Sequence, residues 1–61
     1  MSVRAVIAED EPLLAQQLKS LLGRAWPELE IAATVANGLE ALQAIERERP
    51  QVAFLDIRMP G

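Results

Sequence analysis

The sequence predicts an α/β fold, β-α-β-α-β around a parallel sheet, and three observations predict it. Residues 3–8, 29–36 and 52–55 are short, mostly apolar runs with β-branched residues, the length and content of buried strands. Two segments between them carry apolar residues at three- and four-residue spacing, the stripe of an amphipathic helix. The connections are only a few residues long, and such alternation closes as a parallel sheet with right-handed crossovers and helices over its faces.

Each element follows from its own residues. VRAVIA, Val3 to Ala8, is the first strand, with Arg4 near its exposed start. Glu9, Asp10 and Glu11 end the run, and Pro12 sits in a first helical turn, which tolerates its missing N–H. Acids there also complement the helix dipole. Leu14, Leu18, Leu21, Leu22 and Ala25 form the apolar stripe of the first helix, and its leucines are expected in the core. Trp26 before Pro27 breaks the pattern, since a residue preceding proline is pushed out of the α region; Trp26 is expected to pack at the helix end. LEIAATVA, Leu29 to Ala36, is the second strand. Asn37 is placed to cap the second helix, on which Leu39, Leu42 and Ile45 line one face while Glu40, Glu46, Arg47 and Glu48 make the other solvated. Pro50 stops that helix, and Gln51 opens the third strand. Val52, Ala53, Phe54 and Leu55 read as buried on both faces, and the next residue is the carboxylate Asp56.

The 61 residues make at most one small domain, and a chain this short is only marginally stable. A hydrophobic fraction of 51% with 25% charged residues matches an ordinary globular protein rather than a disordered one. The net charge of −3 argues against these residues gripping nucleic acid and leaves a cation as the natural guest. With no cysteine and no histidine, disulfides, thiolate chemistry, histidine bases and the usual zinc sites are excluded. Any chemistry falls to carboxylates, arginines or backbone. No apolar run nears the roughly 20 residues that span a bilayer, and no secretory leader is present, so a cytoplasmic, membrane-free protein is expected.

Functional groups of open parallel sheets collect beyond the carboxyl ends of the strands. Glu9 and Asp10 follow the first strand directly, and Asp56 ends the third. If those strands are neighbours, about 4.8 Å apart, the three carboxylates share one crevice. Like charges so placed repel unless a cation offsets them, and an all-oxygen donor set selects magnesium over zinc or copper. An aspartate beside such an ion can attack a phosphoryl donor and form an acyl phosphate. Plainer readings stand beside this one: Asp56 as the polar end of a strand, Asp10 as a helix cap ahead of Pro12, Glu11 as a partner of the helix dipole.

Over essentially its whole length the chain resembles the first half of a response-regulator receiver domain, the phospho-accepting module of two-component signalling. The likeness lies in the order and spacing of the acidic pair Glu9-Asp10 with Glu11-Pro12, the leucine-striped helix, ANGLEAL (Ala36 to Leu42) and LDIRMPG (Leu55 to Gly61). It implies a flavodoxin-like receiver fold with strand order 2-1-3, residues 1–61 being the N-terminal half of the domain. It also implies that Asp56 is the phosphoacceptor, Asp10 a direct magnesium ligand, Glu9 a ligand acting mainly through water, and the backbone carbonyl of Arg58 a further ligand. Many relatives carry Asp where Glu9 stands. The Met59-Pro60-Gly61 turn would shape the phosphorylation loop.

The expected partner is a sensor histidine kinase, which in this family docks on the face of the first helix. The spelling EDEPLLAQQL with FLDIRMPG is most similar to regulators of transcription with a LytTR-type output domain, so DNA would be contacted only through that separate domain. The module is expected to be a phosphoprotein rather than an enzyme. The later strands of the family supply a Ser or Thr, a Lys and an aromatic switch residue, none of which can be assigned here. Weak phosphorylation without regulated switching is therefore expected of these residues alone. An uncovered third strand, exposing Val52, Phe54 and Ile57 in some combination, is expected to drive self-association as a homodimer or strand-exchanged oligomer. Two other readings remain open. A haloacid dehalogenase-like phosphatase or phosphotransferase also places an aspartate nucleophile after an apolar strand, but wants a second acid where Arg58 stands. An inert, metal-free α/β fragment would show no response to magnesium at Asp10 and Asp56.

Overall fold

β1 (Val3–Glu9) occupies the centre of the sheet because it is the strand that can be covered on both faces: Ala5, Val6, Ile7 and Ala8 are each 0% exposed. The computed structural model describes residues 2–56, and every structural statement refers to those residues. After β1 come α1 (Pro12–Ala25), β2 (Leu29–Val35), α2 (Gly38–Glu48) and β3 (Val52–Asp56). The strands form one parallel sheet in the order β2-β1-β3, as the sequence implies. The Arg58 carbonyl, Ile57 and the Met59-Pro60-Gly61 turn lie outside the described residues.

Register partners on neighbouring strands share a face. Ala5, Ile7 and Glu9 therefore share one face with Val52, Phe54 and Asp56, and Val6 and Ala8 share the other with Ala53 and Leu55. The β1–β2 register slips by one residue, with Ala5 opposite Ile31 but Val6 opposite Ala33. The extra residue, Ala32, is a bulge that turns Thr34 onto the face of Ile7. There Thr34 joins Ala15, Gln16 and Lys19 in lining an open groove, so α1 covers that face. Arg4, on the face of Val6, reaches the last turn of α2, which covers the opposite side. Two right-handed crossovers running in opposite directions across a sheet require this arrangement.

The helices meet the sheet through alanines rather than leucines. Ala15 of α1 and Ala41 and Ala44 of α2 are buried, while Leu18, Leu22 and Ile45 are half-buried. Leu13, Leu14 and Leu21 are exposed, as are Leu39 and Leu42, which corrects the expectation that the helix leucines and the Leu39–Leu42 face form the core. Both helices pack chiefly on β1 and β2. Among the described residues β3 consequently has little helix cover. Val52 and Phe54 are half-buried, and Ala53 and Leu55 are exposed, Leu55 at 60%, so β3 is not buried on both faces as expected.

Local chemistry sets the helix ends. The Asn37 side chain accepts the Glu40 N–H at 2.9 Å, the cap the sequence predicts, and the Glu40 carboxylate accepts the Ala36 N–H at 3.1 Å, a reciprocal bond not anticipated from the sequence. α2 ends at Glu48 and is capped by Arg49, just before Pro50; the Arg49 N–H donates to the Ile45 carbonyl at 2.9 Å. Arg49 has φ 49°, the left-handed region that favours glycine at a helix C-terminus. Arg49→Gly is expected to raise stability by about 0.5–1 kcal/mol, since relief of that strain outweighs the added freedom of the unfolded chain. Urea unfolding of the two chains reads the difference.

At the end of the sheet away from the acids, Arg4 ties β1 to β2, to α2 and to Gln51, the residue before β3. Its guanidinium donates to the Glu48 carbonyl at 2.6 Å, to the Glu48 carboxylate at 2.7 Å and to the Glu30 carboxylate at 3.2 Å. Its backbone N–H donates to the Gln51 side chain and its carbonyl accepts the Gln51 N–H, both at 2.9 Å, which extends the β1–β3 ladder by one rung. Arg47 also donates to Glu48, at 2.9 Å. Glu48 is thus half-buried and paired rather than part of a solvated face. Hydrogen bonds from Arg47 and then Arg4 hold its pKa below the usual carboxylate range. A depressed folded-state value means the unfolded chain takes up the proton first on acidification. The pairing therefore stabilises fully above the ordinary carboxylate range and is lost as pH falls through the folded-state value. Glu48→Gln is expected to lower stability at neutral pH and to flatten its decline towards acid, as denaturant titrations at neutral and acid pH would register.

Candidate functional site

The carboxyl ends of β1 and β3 lie side by side, with Glu9 the register partner of Asp56 on the same face. Asp10 follows in the bend that leads to α1. The structure therefore brings together the acids that the sequence singles out. Their environments differ. Glu9 is 6% exposed, whereas Asp10 and Asp56 are exposed to solvent.

Glu9 is held from behind. One carboxylate oxygen, Oε1, accepts the backbone N–H of Glu11 at 3.0 Å. Glu11 is the N-cap residue of α1 with an extended backbone, and its own side chain makes no capping bond. Asp10 makes no side-chain capping bond either among the described residues, which leaves its carboxylate available at the rim. The Glu11 N–H is the largest influence on Glu9 and favours its charged form. Burial, hydrogen bonding to the Asp56 and Asp10 carboxyls and the charge of Asp56 act the other way, and together they hold the Glu9 pKa above the usual carboxylate range.

The donor set is oxygen only and like-charged, with Glu9 pushed towards its neutral form by burial and then by the other two. A hard divalent cation relieves that arrangement, so the residues present fit one. Among the described residues no three acids are already spaced as ligands of a single ion; the carboxyls would have to draw together around it. The signal that sequence reading lacked is the Glu11 amide, because a backbone donor leaves no mark on side-chain pattern. Among the described residues no helix is long and apolar enough to cross a membrane.

A short parallel sheet in the order 2-1-3, with paired acids at its carboxyl rim, belongs to the open α/β class, whose functional groups collect beyond the carboxyl ends of the strands. Residues 5–61 match the response regulator receiver domain, and the chain belongs to that family. It is 61% identical over 56 residues to an uncharacterized response regulatory protein of Vibrio cholerae, covering 92% of this chain and 22% of that protein. It is 41% identical over 58 residues to the transcriptional regulatory protein BtsR of Salmonella typhi, covering 95% of this chain and 24% of that one. It is 37% identical over 59 residues to the positive alginate biosynthesis regulatory protein of Pseudomonas aeruginosa, covering 97% and 24%. The chain thus spans about a quarter of the length of these relatives. No solved structure matches significantly. Family membership decides between the readings the sequence left open, in favour of a receiver over a haloacid dehalogenase.

Proposed function

We propose that the chain is the phosphoacceptor side of a receiver domain in a two-component system, its N-terminal half, with Asp56 as the residue modified. The observation that carries this reading is the pairing of a buried Glu9 with an exposed Asp56 across β1 and β3. An Asp56 carboxylate oxygen attacks the phosphorus of a phosphohistidine on a sensor histidine kinase. The O–P bond forms as the P–N bond breaks, and the electron pair leaves with the imidazole, which is then protonated. Glu9 cannot compete as nucleophile, since it is buried and one oxygen is engaged by Glu11.

Asp10, Asp56 and the Arg58 backbone carbonyl would hold magnesium directly, and Glu9 would act mainly through water. Bound magnesium neutralises charge on the transferring phosphoryl group. The kinase would meet the outer face of α1, around Leu13, Gln17, Leu21 and Arg24, where an open groove runs along the helix. We further assign the parent protein to transcription control in the cytoplasm through a LytTR-type DNA-binding domain, a reading supported by the similarity to named transcriptional regulators. The module accepts and holds a phosphoryl group and does not turn over as an enzyme. On its own the chain would self-associate along the exposed Ala53–Leu55 side of β3, which sedimentation equilibrium would detect as a dimer. The decisive experiment supplies magnesium and a small-molecule phosphodonor: one acid-stable, base-labile phosphoryl group per chain is expected, and a label that resists base would remove the aspartyl assignment.

A further inference from the structure

Glu9 faces two ways. Its Oε1 accepts the N–H of Glu11, the residue that opens α1, while on the sheet it is the register partner of Asp56 on the same face, with Asp10 next in the chain. No side chain of the N-cap residue serves α1, so this one bond from the end of β1 does what a capping side chain does elsewhere. The carboxylate is buried, which limits the ways it can move. Fixing one oxygen at the acidic rim therefore fixes the other at the helix entrance.

We propose that Glu9 is a positioning residue that couples a divalent cation at the acidic rim to the order of the first turn of α1. The inference rests on the receiver reading of the site and deepens it. A cation drawn to Asp10 and Asp56 attracts the free side of the Glu9 carboxylate and restrains the whole group, and the Glu11 N–H bond then opens less often. By thermodynamic reciprocity, whatever orders the first turn of α1 tightens cation binding by the same factor. A partner seated on α1 and a cation at the rim thereby favour one another. An aspartate at position 9 is one methylene shorter and cannot span both ends. The choice of glutamate is what builds the link.

The test follows amide hydrogen exchange and chemical shifts in the full chain, titrated with magnesium alone. Magnesium is expected to shift Asp10 and Asp56 and to slow Glu11 amide exchange by about fivefold or more, the lower end of ordinary site-to-site coupling. Glu9→Gln keeps an oxygen for the Glu11 N–H but loses the charge: its exchange without magnesium should be no slower than that of the parent chain, and the slowing on adding magnesium should vanish. Glu9→Asp should lose protection at Glu11 even before magnesium is added. If Asp10 and Asp56 shift while Glu11 exchange stays unchanged, or if Glu9→Gln responds like the parent chain, the coupling is wrong and the receiver reading survives. Silence at Asp10 and Asp56 at saturating magnesium would overturn both.

Discussion

Asp56→Asn is expected to abolish phosphoryl uptake while leaving the fold intact. An amide has no anionic oxygen to attack phosphorus, and the neighbouring acid cannot substitute, because Glu9 is buried and tied to Glu11. The substitution removes no packing, since Asp56 is exposed at the end of an edge strand. It also removes one of the groups that push the Glu9 pKa up. The sign of that effect follows from proton counting. A raised Glu9 value means the folded chain holds its proton longer than the unfolded chain, so stability falls as pH rises from the ordinary carboxylate range through the folded value. Asp56→Asn should lessen that fall and leave the chain at least as stable at neutral pH. Phosphodonor labelling followed by mass spectrometry, with thermal melts of both chains, checks the two halves. A label retained by the variant would move the phosphoacceptor elsewhere.

Ile7→Ala is expected to unfold most of the population. Ile7 and Val6 are the largest side chains with no exposure, and they sit on opposite faces of the central strand. Truncating a buried isoleucine costs about 2–5 kcal/mol, and a core of this size supplies only about 3–5 kcal/mol in total. Leu21→Ala makes the control, because Leu21 is 57% exposed and its loss should change stability by about 0.5 kcal/mol or less. Far-ultraviolet circular dichroism separates the outcomes: lost helix signal for Ile7→Ala, an unchanged spectrum for Leu21→Ala. A folded Ile7→Ala chain would mean that the core relaxes around the gap far more than a β1 enclosed on both faces allows.

The element boundaries were legible because the punctuation is strong. Pro12 opens α1 and Trp26-Pro27 closes it; Asn37 caps α2, and Pro50 stands just beyond its end. The pairing of Glu9 with Asp56 was legible for another reason: acids placed directly after apolar strands must meet if those strands are neighbours, and resemblance to the receiver fold supplied the neighbourhood. What failed was the choice of buried helix residues. Hydropathy ranks leucine above alanine, yet a helix lying close on a sheet needs small side chains at the contact, and Ala15, Ala41 and Ala44 meet that need. The Arg4 cluster was beyond reach as well, since nothing local announces that residues 26 and 44 positions away will converge on one guanidinium.

The central place of β1 has a consequence for synthesis. The strand leaves the ribosome well before either of its partners, so its most apolar residues must wait unpaired while β2 and β3 emerge. Nascent chains stalled before Val52 should therefore be protease-sensitive and prone to chaperone capture, and release of the stall should protect β1 and β3 together.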